Sequence, residues 1–236
     1  MRVLLLAQGS WCHAGIKALM CNGNVEICAS IGDEYVATLC ENCNWTALPI
    51  SRQKSDSQIA ERIKRDKPDI VLSIQYPYLI GPDVIGLVGG HIYNIHNAKL
   101  PEYRGHNCIS FVLLNGDARH YTTLHRISEC FDRGDLIDER ALEICSDDTA
   151  FSVWERSKVS LEEILGKIDS SVMTKAGSPI TGAGKFYSKF LKPELKVISC
   201  DESLENKNRL ARAFWFPPHA PAREMDAEGN FKILCI

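Results

Sequence analysis

The chain has 236 residues, 45% of them hydrophobic, which suits one large domain or a domain with a small appendage. Its formal net charge is only -3 and its sequence pI is near 6.2, so there is no global basic field to hold nucleic acid. No apolar run reaches the roughly 18 residues that span a bilayer, and the apolar start Arg2–Ala7 is too short for a signal peptide and ends in Gln8-Gly9-Ser10. A cytoplasmic protein with no membrane partner is expected.

Arg2–Ala7 is continuously apolar, as in a strand covered on both faces. Gly9-Ser10 ends it, and Trp11–Met20 carries Ile16, Leu19 and Met20 at helical spacing before Asn22-Gly23. Val25–Ile31 reads as a second strand, so residues 1–31 form the strand–helix–strand opening of a doubly wound sheet. Gly9-Ser10 is either a plain tight turn or a set of free N–H groups facing an anion. No Gly-x-Gly-x-x-Gly occurs there, which argues against NAD.

Residues 32–55 read as irregular apart from Thr46–Ile50, and Ser57–Lys67 as an amphipathic helix ended by Pro68. Asp69–Ile74 is another buried strand, leading into the apolar loop Gln75–Pro82. Loops usually carry polar residues because their backbone needs water. This one therefore either packs under something or lines a pocket for a flat ligand. A short helix, Pro82–Leu87, precedes the strand His91–His96. A helix over His106–Leu114, a strand over Tyr121–Ile127 and an alternating strand over Leu136–Ile144 follow. Asp148 is the expected N-cap of a long helix to about Ile168. Residues 177–196 look like a long surface excursion, and their Gly182-Ala183-Gly184-Lys185 lacks the flanking residues of a phosphate loop. A helix capped by Asp201 and running through Arg212, and a hairpin of Arg223–Asp226 with Phe231–Cys235, close the chain. Domains at 1–170 and 171–236 are expected.

The ten cysteines are scattered and mostly within apolar segments, where they are expected to be small buried hydrophobes. Cys40-Glu41-Asn42-Cys43 has metal spacing without a second pair, so no metal is expected.

Asn94 and His96 lie two apart on a strand and so share a face. Asp132 lies in the turn after Tyr121–Ile127. If these strands are neighbours, an amide, an imidazole and a carboxylate converge, a set suited to acyl transfer onto an amine. The imidazole takes the amine proton, the carboxylate orients the imidazole, and the amide N–H donates to the oxyanion. The alternative is that Asp132 pairs locally with Arg133 and His96 is an ordinary strand-end residue.

The sequence Asn94-Ile95-His96, Leu100-Pro101 with Tyr103-Arg104-Gly105, Thr123-Leu124-His125, and Phe131-Asp132-Arg133-Gly134-Asp135-Leu136-Ile137 resembles the N10-formyltetrahydrofolate-dependent formyltransferase family. The resemblance runs from the first strand to about Ile168, and Asn97-Ala98-Lys99 departs from it. It implies an α/β fold, a Rossmann-like mostly parallel twisted sheet with helices on both faces and a small C-terminal helix and hairpin. It also implies acid–base roles for His96 and Asp132, the oxyanion role for Asn94, and a pterin site at Tyr78, Leu79, Ile80, Glu129 and Phe131. The tail Arg209-Leu210…Phe214-Trp215-Phe216-Pro217-Pro218 resembles that of the sugar N-formyltransferases. That implies a nucleotide-linked amino sugar as substrate, met by Ser10, Trp11, Tyr103, Arg104, Gly105, Lys185 and Tyr187, with Lys185, Tyr187, Lys189 and Lys192 meeting its base and pyrophosphate. A solvated Lys-rich loop is the alternative. A homodimer through the aromatic C-terminal third is a further expectation.

Overall fold

The computed structural model describes residues 1–40, 45–51, 53 and 55–234. Its first half alternates strands and helices: β1 (Arg2–Ala7), α1 (Trp11–Cys21), β2 (Glu26–Gly32), α2 (Glu34–Cys40), β3 (Thr46–Pro49), α3 (Ser55–Asp66), β4 (Ile70–Ile74), α4 (Pro82–Leu87) and β5 (Ile92–His96). Then come β6 (Tyr103–Gly105), α5 (Cys108–Asn115), β7 (Arg119–Arg126), β8 (Leu136–Glu143) and α6 (Ala150–Leu165). The C-terminal part adds β9 (Lys185–Tyr187), β10 (Val197–Ser199), α7 (Leu204–Phe214), β11 (Arg223–Met225) and β12 (Phe231–Ile233).

The central sheet has seven strands in the order β3-β2-β1-β4-β5-β7-β8. The first five are parallel, and β7 and β8 join antiparallel. The apolar run of β1 feeds both faces. Val3, Leu5 and Ala7 enter the core under α1 and α6, while Leu4 and Leu6 enter the one under α3 and α4. Packing of α1 on α6 is fixed by Trp11, which is fully buried and donates its indole N–H to Ser157 Oγ at 2.9 Å. A third cluster joins Ile109, Leu113, Ala150 and Val153 to Leu210, Ala213 and Phe214, so α7 lies on α5 and α6.

Several boundaries and elements differ from expectation. α2 forms within the stretch read as irregular; a helix of seven residues, about two turns, leaves little period to detect in sequence. The cap of α6 is Thr149, in a reciprocal capping box with Ser152, while Asp148 binds Ser152 and Arg156 instead. Ser203, not Asp201, caps α7. The excursion over 177–196 is partly ordered by pairing of β9 with β6. Of the described cysteines, Cys12 and Cys108 are buried, but Cys21, Cys130 and Cys145 are exposed, so burial does not account for all of them. Cys43 and the side chain of Cys40 lie outside the described residues.

Candidate active site

β5 places Asn94 and His96 on one face, and its neighbours complete the surroundings. Ser73 of β4 stands beside Asn94, and His125 of β7 stands opposite it. His125 Nδ1–H donates to the Arg126 carbonyl at 2.8 Å, so its Nε2 carries the lone pair and accepts from Asn94 Nδ2 at 3.1 Å. Burial pushes the His125 pKa down to about 4 against the pull of the Asp132 charge, which keeps the ring neutral in this tautomer. Ser73 Oγ donates to Asn94 Oδ1 at 2.9 Å. The amide orientation is thereby fixed, with one N–H engaged and the second left for the cleft.

His96 donates Nε2–H to the Tyr103 carbonyl at 2.7 Å, which turns Nδ1 toward Asp132 Oδ1 at 3.8 Å. Burial lowers its pKa. The Asp132 charge, with the Cys108 thiol and the Tyr103 carbonyl, outweighs that and raises it to about 9. The ring is therefore an imidazolium at neutral pH.

Asp132 is reached by an unexpected route. Because β7 runs antiparallel to β5, its end lies beside the start of β5, with Arg126 opposite Tyr93. The excursion after it must fold back to bring Asp132 to His96, so the three groups meet over the sheet face and not off aligned carboxyl ends. Two features hold that return. Asp132 has φ 53 and accepts the Gly105 N–H on Oδ2 at 2.8 Å, a left-handed conformation that costs energy and persists only where surroundings impose it. A Cβ on Gly134 would sit 1.7 Å from the Arg126 carbonyl oxygen, so the turn requires glycine there. Arg133 does not pair with Asp132; it donates to the carbonyls of Gly182 and Ala183 at 2.7 and 2.8 Å.

Asn94, His96, His125 and Asp132 line one cavity of about 820 Å³. Tyr78, Leu79, Ile80, Ile127 and Phe131 line the same cavity. Leu79 and Phe131 are each 46% exposed at its rim. The apolar loop therefore does both things expected of it: Ile80 packs into the core and Tyr78 and Leu79 face the cavity. This apolar slot beside fixed polar groups fits a flat heterocycle. Glu129 is exposed and outside the cavity lining.

Most of the residues expected to meet the second substrate are elsewhere. Trp11 is core, as described. The Tyr103 ring is buried, donates to Asp117 Oδ2 at 2.6 Å and accepts from Asn115, so only its carbonyl serves the site. Tyr187 is buried, its ring 4.0 Å from that of Phe111 and 5.7 Å from that of Tyr103. Aromatic rings with a polar tip suit an interior hydrogen bond as well as a ligand, and sequence does not separate the two. Lys185 Nζ stands over the Tyr187 ring, 5.0 Å from its centroid, and Lys192 is exposed; neither lines the cavity. Ser10 is exposed outside the lining, and the Gly9 N–H is taken by Asp33 Oδ2 at 2.7 Å, so this turn offers less to an anion than its sequence suggests. Arg104 has a buried Nε without a partner among the described residues, and Gly105 and Lys189 do line the cavity. Ser73 and the role of His125 were missed. The Thr123-Leu124-His125 motif marks the second, but only the register shows what it orients.

A family model described as Formyl transferase matches residues 1–166. The chain belongs to the formyl transferase family. Over 159 residues it is 32% identical to a GDP-perosamine N-formyltransferase of Brucella melitensis biotype 1, covering 66% of this chain and 60% of the relative. The matched region thus spans about 60% of the length of that relative. Among solved structures, a 4-N formyltransferase from Francisella tularensis superposes with TM-score 0.79 at 20% identity, over 99% of this chain and 96% of the other. The N-formyltransferase of Helicobacter canadensis, solved with folinic acid and dTDP-3-aminofucose, gives TM-score 0.71 at 16% identity over 91% and 80%. At those identities the structures establish a shared fold. The formyl transferase fold of this chain thus extends through its C-terminal helix and small sheet, beyond the residues the family model covers. No helix of the described residues is long and apolar enough to cross a membrane.

Proposed function

We propose that this formyl transferase moves a formyl group from N10-formyltetrahydrofolate to the amine of a nucleotide-linked amino-deoxy sugar carried on dTDP, GDP or UDP. The observation that carries the reading is the meeting of Asn94, His96 and Asp132 in one cavity beside an apolar slot. Resemblance to relatives named as sugar N-formyltransferases supports the choice of acceptor. Residues 1–170 form the catalytic unit in this reading, and 171–236 complete the acceptor side. Synthesis of surface polysaccharide (O-antigen) in the cytoplasm is the setting it fits, and a homodimer through the C-terminal region is part of the same proposal.

In this reading three groups share the chemistry. As the amine attacks, charge develops on the formyl oxygen, where the free Asn94 N–H and the His96 imidazolium supply a donor and a positive charge. Losing one such donor costs about 2.7–4 kcal/mol of barrier. A ring already protonated is a poor first acceptor, so Asp132 takes the amine proton and His96 stabilises the oxyanion. This reverses the order drawn from residue types alone. The leaving nitrogen regains its proton from the same pair, and no covalent enzyme intermediate is needed.

The test supplies formyltetrahydrofolate with a panel of dTDP-, UDP- and GDP-linked amino sugars and follows product by mass. A formylated nucleotide sugar is expected. Product formed only with hydroxyornithine, an amino acid or an aminoacyl carrier would replace the acceptor. No turnover with any amine, alongside tight nucleotide-sugar binding, would mark a nucleotide-binding module that has kept the fold.

A further inference from the structure

α5 is tied to the catalytic groups at both of its ends. Cys108, its first residue, sets Sγ 3.8 Å from His96 Nε2 and 3.5 Å from the Tyr103 carbonyl oxygen. The far end turns at Gly116, whose φ is 72, so that the Asp117 N–H donates back to the Val112 carbonyl at 3.1 Å. That closure fixes the Asp117 backbone, and its Oδ2 accepts the Tyr103 hydroxyl at 2.6 Å. Asn115 Nδ2 donates to the same hydroxyl at 2.8 Å, which leaves the hydroxyl proton to Asp117. A carboxylate just past a helix C-terminus meets the negative end of the dipole and does nothing for the helix. Its use lies in the contact it makes.

That contact anchors the strand that holds both catalytic groups. In β6 the Tyr103 carbonyl accepts His96 Nε2–H, and two residues on the Gly105 N–H binds Asp132 Oδ2. The Tyr103 N–H is taken by the Lys99 carbonyl at 2.9 Å, and its ring is buried against that of Tyr187. With N–H, ring and hydroxyl all fixed, the carbonyl has little freedom to turn away from His96. A charged N–H bonds more strongly than a neutral one, so an acceptor held in place favours the imidazolium. The other titratable groups acting on His96 are Asp132 and Cys108, which favour its charge, and His106, His120 and His125, which are coupled to it by charge.

We infer that Asp117, which does not line the cavity, is a positioning residue for catalysis: through the Tyr103 hydroxyl it holds the backbone carbonyl that keeps a proton on His96 Nε2. The inference rests on the formyl-transfer reading only for the use made of that proton.

The test is NMR of the full chain labelled with 15N-histidine, which needs no acceptor, together with kcat and KM for the acceptor that the panel above identifies. The His96 signals are assigned by their loss in His96→Asn, and should titrate near pH 9 in the wild type. Tyr103→Phe and Asp117→Leu should lower that midpoint by about one unit, the order of a weakened hydrogen bond from a charged donor. They should also lower kcat about tenfold or more, as for a misplaced catalytic group, with KM little changed. Asp117→Asn keeps an acceptor for the hydroxyl without the charge and should restore both to near wild type. Should Asp117→Leu fail to fold, Tyr103→Phe, which keeps the ring, carries the test. A wild-type His96 titration in Tyr103→Phe would overturn the inference, even where the urea midpoint falls, since packing alone would then account for the contact. Asp117→Asn behaving like Asp117→Leu would overturn it too, by assigning the effect to charge. A displaced titration in a chain that formylates no amine upholds the anchor and sinks the formyl-transfer reading. Formylation with His96 unmoved in Tyr103→Phe does the reverse.

Discussion

Which nitrogen of each histidine bears a proton decides what the cleft can do. His125 is held neutral, with its lone pair toward Asn94, and His96 is held positive beside Asp132. Asp132→Asn should therefore lower turnover at least about 100-fold, as for loss of a positioned acid–base group, and His96→Asn by a similar factor, as for loss of a charge that stabilises the oxyanion. Circular dichroism should show the fold intact in both. Asn94→Ala should cost about 10²–10³ in kcat as a lost oxyanion donor; a loss confined to KM would remove it from that role. At this scale the spacing of Asn94 and His96 made them legible, since strand geometry alone puts them on one face. Trp11, Tyr103 and Tyr187 are buried, which sequence does not show because burial is a property of the assembled fold. Their polar tips find partners in Ser157, Asp117 and Asn115 that lie 146, 14 and 72 positions away in the chain.

Among elements, the alternation of β1, β4 and their helices was readable from apolar runs and stop signals. The direction of β7 was not, because a strand's sequence does not state its neighbour's polarity. That reversal makes the turn through Asp132 and Gly134 a returning excursion under tight steric control. Gly134→Ala should displace it, since the added methyl meets the Arg126 carbonyl. Activity should fall with Asp132→Asn-like severity, while α1, β1 and β2 keep their protection in hydrogen exchange. Near-normal activity would show that the turn tolerates the shift. Ser157→Ala strands the buried indole N–H of Trp11 between α1 and α6 and should cost about 1–3 kcal/mol in denaturant unfolding. The pairing of β6 with β9 was illegible for another reason: three-residue strands carry no period, and 80 residues separate Gly105 from Lys185.

For the whole molecule, the histidines set a stability window. His96 has a folded pKa raised to about 9, so its contribution is complete below its ordinary value of 6.5 and is lost as pH rises through about 9. His120 is buried, donates Nε2–H to Asn97 Oδ1 at 2.8 Å, and has its pKa pushed down by burial to about 3. It and His125, at about 4, stabilise the fold above 6.5 and cease to do so as pH falls through those values. Urea midpoints should fall on both sides of neutrality, and His120→Gln, which cannot titrate, should flatten the acid side. An acid limb unchanged by that variant would assign it to carboxylates instead.

The most direct test of the central claim is the single-turnover rate of formyl transfer measured across pH. With His96 acting as an imidazolium fixed by Asp132, the wild-type rate should fall on an alkaline limb near pH 9. That limb should vanish in His96→Asn along with most of the rate. A wild-type rate that keeps rising through that region, or a limb that persists in His96→Asn, would contradict the account.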